Sequence, residues 1–123
     1  MLDMEREFER RITNIQNQLS AKAKTINKYA TVNIVLYPST IIVELLDEVG
    51  RDWYIGEYDR DEYERKGCDA FLNQLIYDLK HFDFMENAAI AYTSKTMVYL
   101  LIAAEWAKFA KNLNIKDFET TEG

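Results

Sequence analysis

The sequence predicts a mainly α-helical fold, a small bundle of about four helices that begins with a long N-terminal helix. The chain of 123 residues holds only one proline and four glycines, too few for the many tight turns of an all-β sandwich. Apolar residues recur at helical spacing near both ends of the chain. With 48% hydrophobic residues, the chain can bury a real core. We therefore predict one globular domain over residues 1–115 and a flexible polar tail over residues 116–123.

The first helix is predicted over residues 4–30, where apolar side chains recur at steps of three and four. Acidic residues precede basic ones along this segment, an order that suits the helix dipole. The apolar stripe comprises Phe8, Ile12, Ile15, Leu19 and Ile26. Such a stripe either packs into the core of its own chain or joins copies of the chain in an oligomer. The flanking positions lack the complementary charges of a zipper, which favours the core.

Residues 31–58 allow two interpretations. Residues 31–37 are rich in β-branched side chains and precede Pro38, as expected of a strand or of a strained helix end. In an α+β alternative, this part of the chain forms a small β element. That element is a three-stranded meander over residues 31–37, 40–46 and 53–58.

We prefer a helix over residues 39–49. Its apolar residues lie at helical spacing, Ser39 is a suitable N-cap, and Gly50 is a suitable residue to follow the C-terminus. Val49 would also be an awkward turn residue in the competing hairpin. The preferred fold is therefore mainly α.

Two further helical segments follow. Residues 59–82 begin with Asp59 as a capping residue and continue with an apolar stripe, and a break at Gly67 would divide the helix in two. Ser94 is a suitable cap for a helix over residues 95–112, which is apolar around most of its circumference. A helix of that kind belongs at the centre of a bundle.

The net charge of −6 is concentrated in the middle of the chain. Residues 32–69 contain ten acidic and four basic side chains, so direct binding of nucleic acid is not expected. The longest apolar run, residues 97–104, is too short to span a membrane. The single cysteine, Cys68, cannot form an intramolecular disulfide, and the charged N-terminus lacks the apolar segment of a signal peptide. We therefore expect a cytoplasmic protein.

The sequence lacks the residues of common catalytic and metal sites. On one continuous helix, Cys68 and His81 would point in nearly opposite directions, which disfavours a thiol–imidazole pair. One cysteine and one histidine cannot complete a typical zinc site. A calcium loop starting at Asp59 would have Glu64 in place of its glycine. We predict no catalytic residue, no metal and no cofactor.

One segment resembles a known enzyme family. The order LLDEVG, an acidic stretch and then GCDAFLNQLIYDL resembles the all-α, MazG-like nucleoside triphosphate pyrophosphatases, which pair an E-x-x-E helix with an E-x-x-D helix to hold Mg²⁺. Here the matching positions are Glu48-x-x-Arg51 and Lys66-x-x-Asp69, so cations replace two of the four carboxylates. The resemblance implies a metal-binding set of Glu44, Asp47, Glu48 and Asp69.

Acidic and aromatic residues alternate between positions 53 and 64. The carboxylates are spread around the predicted helix, which suits a protein interface better than a metal cage. The predicted binding surface comprises Trp53, Tyr54, Glu57, Tyr58, Asp59, Asp61, Glu62, Tyr63 and Glu64. The favoured function is therefore non-enzymatic. The chain would bind or inhibit a protein with a basic surface, such as a nucleic-acid-binding enzyme, as immunity proteins and antitoxins do.

Two alternatives remain. The chain could be a small helical subunit that forms a homo-oligomer through the stripe of its N-terminal helix. It could also be a degenerate Mg²⁺-dependent pyrophosphohydrolase, as the family resemblance implies.

Overall fold

The chain folds as an α+β protein, so the prediction of a mainly α-helical bundle is wrong. The computed structural model describes residues 2–47, 52–90 and 96–118. Within these ranges a three-stranded antiparallel sheet accompanies five α-helices and a short 3-10 helix. In chain order the elements are α1 (Leu2–Lys24), β1 (Thr31–Leu36), β2 (Thr40–Leu46), β3 (Asp52–Asp59), α2 (Arg60–Lys66), α3 (Cys68–His81), α4 (Phe84–Ile90), α5 (Thr96–Lys111) and the 3-10 helix Ile115–Asp117.

The predicted helix over residues 39–49 is instead strand β2. Ile41, Val43 and Leu45 point into the core, and the residues between them point outward. This alternation has a period of two, as in a strand that is buried on one face. The helical pattern arose because apolar residues also occupy the outer face, at Ile42 and Leu46. Residues 48–51, which include the predicted end of that helix at Gly50, lie outside the described residues.

The strands form a simple meander in the order β1, β2, β3. Strands β1 and β2 meet in a tight hairpin, where the Tyr37 amide donates to the Thr40 carbonyl at 2.8 Å. Pro38 follows Tyr37 in this turn, a position where its fixed φ is favourable. Pro38, which follows β1 in the sequence, is therefore a residue of the hairpin turn.

Strand β3 contains a β-bulge. Trp53 pairs with Leu45 and Tyr54 with Glu44, but Gly56 is the next paired residue, opposite Val43. Ile55 is therefore an extra residue without a cross-strand partner, and it packs partly against the core.

The bulge decides which side chains face the core. In an unbroken alternation from Trp53, Glu57 and Asp59 would face inward with Trp53. The extra residue changes the phase, so Trp53 and Tyr58 are both buried while Glu57 and Asp59 are exposed. The strand thus keeps its carboxylates out of the core.

Helix α1 packs against β1, on one side of the inner face of the sheet. Its stripe residues Phe8, Ile12, Ile15 and Leu19 are all buried, and Ala23 continues the stripe toward the partly buried Ile26. In this structure the stripe therefore packs into the core of its own chain. Burying four large apolar side chains contributes roughly 1.5–3 kcal/mol for each of them, so the α1 stripe is a major source of stability.

Helix α1 also covers the free edge of β1. The Ser20 hydroxyl donates to the Val32 carbonyl and accepts from the Val32 amide, both at 3.0 Å. One helical turn earlier, the Gln16 side-chain oxygen accepts from the Ile34 amide at 2.6 Å. Exposed strand edges invite pairing with other chains, so these two side chains protect β1.

Gly67 separates α2 from α3. Asp59 caps α2 by accepting a hydrogen bond from the Glu62 amide at 3.1 Å, and the helix ends where the Gly67 amide donates to the Tyr63 carbonyl. Gly67 has φ 100° and ψ 158°, a conformation that is essentially restricted to glycine. The predicted break at this residue is therefore present.

We expect Gly67→Ala to lower the free energy of unfolding by about 1–3 kcal/mol, because an L side chain strains this conformation. Gly67→Asn should not recover the loss, since asparagine tolerates the left-handed helical region but not this one. Urea denaturation measures both values. Gly56→Ala is the control, because Gly56 has no positive φ and its added Cβ would lie 3.4 Å from the Tyr58 hydroxyl. An equal cost at Gly56 and Gly67 would contradict the argument.

The C-terminal helices complete the core. Helices α4 and α5 pack against each other, with Phe84 and Trp106 buried. Helix α5 falls within the predicted segment, although its predicted cap Ser94 lies outside the described residues. Phe118, in the segment predicted as a tail, is buried, and the Lys22 ammonium lies 5.2 Å from the centre of its ring. No helix in the described ranges is long and apolar enough to cross a membrane.

Candidate functional site

The outer face of the sheet is the candidate site, because it has no cover among the described residues. It is formed by the side chains that alternate with the buried ones along each strand. None of these outward residues is buried, whereas the opposite face packs against α1 at β1 and against residues of α3 and α4 at β3. They are Thr31, Asn33 and Val35 of β1, Thr40, Ile42, Glu44 and Leu46 of β2, and Asp52, Tyr54, Glu57 and Asp59 of β3. We call this set the open sheet face.

All the charges on the open sheet face are negative. The three strands contain four carboxylates, Glu44, Asp52, Glu57 and Asp59, and no lysine or arginine. All four point outward, three of them from β3. Apolar side chains on the same face come mainly from β1 and β2. The face therefore combines an acidic row along β3 with an apolar area beside it.

Besides Asp59, which caps α2, two of these carboxylates are held by hydrogen bonds from side chains of the same face. The Asn33 amide donates to Glu44 across the strands at 2.8 Å. The Tyr54 hydroxyl donates to Glu57 at 3.2 Å, along the outer side of the bulge. Partial desolvation and the neighbouring Glu57 carboxylate raise the pKa of Tyr54. With 54% of its surface exposed, Tyr54 is an aromatic contact residue on this face.

The residues predicted as a binding surface from the sequence divide into three groups. Tyr54, Glu57, Asp59 and Asp61 are exposed. Glu62 and Glu64 form ion pairs within α2, to Lys66 at 2.6 Å and to Arg60 at 3.1 Å. Trp53, Tyr58 and Tyr63 are buried in the core.

Part of the open sheet face was not predicted from the sequence. Asn33 and Val35 were not included because residues 31–37 were left undecided between a strand and a helix end. Ile42 and Leu46 were not included because residues 39–49 were predicted as a helix. The strand alternation in the meander alternative would have placed them on one face.

Trp53 lies at the centre of the core beneath the sheet. It is 1% exposed, and its ring centre lies 5.6 Å from that of Phe84. Its indole nitrogen donates to the buried Asp47 carboxylate at 2.6 Å. This contact gives Asp47 a structural role, because a buried carboxylate is costly without a strong donor.

Tyr58 is also a core residue with a buried hydrogen bond. It is 8% exposed and packs edge-on against Phe71 and Tyr63. Its hydroxyl donates to Asp78 on α3 at 2.6 Å, and Gln74 donates to the other oxygen of Asp78 at 2.9 Å. Burial, together with the hydrogen bond and negative charge of Asp78, raises the pKa of Tyr58 above its ordinary value.

This raised pKa predicts a loss of stability in alkaline solution. The unfolded chain releases the Tyr58 proton near pH 10, whereas the folded chain retains it. The contribution of Tyr58 is therefore complete below about pH 10 and falls above it, by at most about 1.4 kcal/mol per pH unit. The stability advantage of the wild type over Tyr58→Phe should shrink between about pH 10 and 12 in urea denaturation. An advantage that stays constant over that range would contradict the assignment.

Arg60 links three elements at the edge of the core. Its guanidinium donates to Glu9 of α1 at 3.0 Å, to Glu64 of α2 at 3.1 Å and to the Tyr37 carbonyl at 3.0 Å. It also lies 5.9 Å from the centre of the Phe8 ring. The first residue of α2 therefore fixes the helix against α1 and the β1–β2 hairpin.

The carboxylates implied by the pyrophosphatase resemblance lie in different environments. Glu44 points outward from β2, Asp47 is buried and bonded to Trp53, and Asp69 lies in the first turn of α3. Glu48 lies outside the described residues. Within the described ranges no group of three or more His, Cys, Asp or Glu side chains could hold a metal ion.

Cys68 and His81 lie at opposite ends of α3. They are the first and last residues of α3, about 20 Å apart along the helix axis. Cys68 is buried and His81 is exposed. They cannot act together as a nucleophile and base in this structure.

Comparisons of the chain with protein-family models, with curated proteins and with solved structures found no match.

Proposed function

We propose that the protein is a non-enzymatic binding protein whose open sheet face docks onto a basic surface of another protein. A nucleic-acid-binding enzyme that the chain inhibits is a suitable partner, because such enzymes carry basic surfaces. The observation that carries the proposal is the composition of this face: four carboxylates and no cation, beside half-buried apolar side chains and the exposed Tyr54.

The arrangement of the face supports docking in two ways. Its carboxylates attract a basic partner and raise the association rate. Its apolar side chains and the exposed Tyr54 provide contact area, and removing that area from water stabilises the complex. Asp61 extends the acidic surface into the first turn of α2. The proposal places the protein in the cytoplasm, where a single buried thiol such as Cys68 stays reduced.

Affinity capture with matched variants tests the proposal. The wild-type chain, a double variant Glu57→Lys/Asp61→Lys and the control Glu86→Lys serve as immobilised baits in a lysate of the native host. Glu57 and Asp61 are exposed and have no role in capping α2. Glu86 is an exposed carboxylate on α4, which packs on α5 away from the open sheet face.

We expect a basic protein to bind the wild type and Glu86→Lys, and to be lost from the double variant. Raising the salt concentration should release it, since exposed charge pairs are screened within about 10 Å at 0.1 M. Circular dichroism would verify that all three baits are folded. Equal recovery of the same proteins on all three baits would refute the proposal.

A further inference from the structure

We infer that the partner contributes a basic amphipathic helix, which lies along the open sheet face with its apolar stripe on β1 and β2 and its Lys or Arg side chains toward β3. This inference rests on the proposed function and specifies the shape and chemistry of the partner.

The inner face shows how this sheet accepts a helix. Helix α1 packs on β1 there with apolar residues at steps of four and three, and residues of α3 and α4 pack on β3 beside it. The outer face is the same length but has no helix on it among the described residues. Sheets in compact proteins commonly have helices packed on their faces. A helix from the partner would complete a three-layer arrangement of helix, sheet and helix.

The open sheet face has an apolar band, interrupted by the hydrogen-bonded Asn33–Glu44 pair, that a helix stripe could cover. Val35 and Ile42 are direct cross-strand neighbours, and Leu46 lies further along β2. These side chains are half-buried by their neighbours and are not part of the core cluster. A helix packed on them would remove their remaining apolar surface from water.

The acidic row lies beside this band at a spacing that a helix can match. Strand β3 presents Asp52, Glu57 and Asp59 outward, with Tyr54 between the first two. Glu57 and Asp59 are alternate residues of the strand and lie about 6.7 Å apart, whereas Asp52 lies farther along β3, beyond Tyr54 and the bulge. Basic residues at positions i and i+4 of a helix are about 6 Å apart along its axis. A helix of about 15 residues would be roughly 22 Å long and would span the row.

Charge complementarity distinguishes this partner from the other occupants. A second copy of the chain stacked face to face would bring Glu44 and the β3 carboxylates against carboxylates, which is repulsive. Nucleic acid would meet the same repulsion from its phosphates. A basic amphipathic helix instead matches both the acidic row and the apolar band.

Two synthetic peptides of about 15 residues test the inference. The first has leucines at helical steps of four and three, with lysines along one side of that stripe. The second has the same residues shuffled so that no stripe forms. Each is titrated into the full chain labelled with ¹⁵N, and shifts of backbone amides identify the contact surface. The variants are Glu57→Lys for the acidic row, Ile42→Thr for the apolar band, and Glu86→Lys as the control.

We expect the amphipathic peptide to shift amides of β1, β2 and β3 and to bind at least about tenfold more tightly than the shuffled peptide. Glu57→Lys and Ile42→Thr should each weaken it by about five- to tenfold, and Glu86→Lys should have no effect. Equal binding of both peptides would refute the helix but leave the acidic docking surface intact. If neither peptide binds, the helix is refuted. The capture experiment then decides whether the proposed function fails with it.

Discussion

Replacing Trp53 with alanine is expected to lower the free energy of unfolding by about 3–5 kcal/mol. The side chain is 1% exposed, packs at a tilt against the Phe84 ring and pairs across the strands with Leu45, so its removal leaves a large cavity. It also removes the indole donor to the buried Asp47 carboxylate. Because small domains are stable by only about 5–15 kcal/mol, this single change could unfold the chain. Urea denaturation followed by circular dichroism measures the effect.

Two variants separate packing from hydrogen bonding. Trp53→Phe keeps an aromatic ring but removes the hydrogen-bond donor. The lost bond to a charged group should lower the free energy of unfolding by about 1.5–3 kcal/mol, and the smaller ring should lower it further. Asp47→Asn keeps an acceptor for the indole and should cost less than Trp53→Phe. A loss below about 1 kcal/mol for Trp53→Ala would show that Trp53 is not a central core residue.

Arg60→Ala should have the second largest effect, a loss of about 2–3 kcal/mol. The change removes hydrogen bonds to Glu9, Glu64 and the Tyr37 carbonyl, all of which converge on one guanidinium. The value is reduced because both carboxylates are partly exposed and water can solvate them after the change.

Arg65→Ala is the matched control for Arg60, since Arg65 is exposed on the same helix. Its cost should stay within about 0.5 kcal/mol. Arg60→Lys should recover only part of the loss, because an ammonium cannot reproduce the fork geometry that serves three acceptors. If Arg60→Ala and Arg65→Ala cost the same, Arg60 does not link the three elements in solution.

The sequence predicted helices where capping and periodicity agreed. Asp59 and Gly67 bound α2 in the predicted manner, and the stripe from Phe8 to Leu19 defines α1. The prediction of a helix over residues 39–49 is wrong, because Ile42 and Leu46 lie on the outer face and complete a false helical pattern with the buried residues. The open sheet face is thus also the cause of the wrong prediction. Pairing with β1 and β3, which is a long-range effect, decides the structure of this segment.

The sequence predicted only part of the candidate site. Sequence composition indicated an acidic, aromatic region, and Tyr54, Glu57, Asp59 and Asp61 are exposed in the structure. It did not indicate which aromatic residues lie in the core. A regular alternation from Trp53 predicts the wrong inward-facing side chains beyond Ile55, because nothing in the local sequence indicates the bulge.

The extra residue at Ile55 also bears on how this strand can change in evolution. If Ile55 were lost, Trp53 and Tyr58 would still face inward and Tyr54 and Glu57 outward, since a regular strand of the shorter length keeps both sets in phase. Loss or gain of a residue elsewhere in β3, with the bulge kept, would instead turn carboxylates into the core. An alignment of related chains should therefore show a single optional position here, within a strand whose length is otherwise fixed while its outward residues vary.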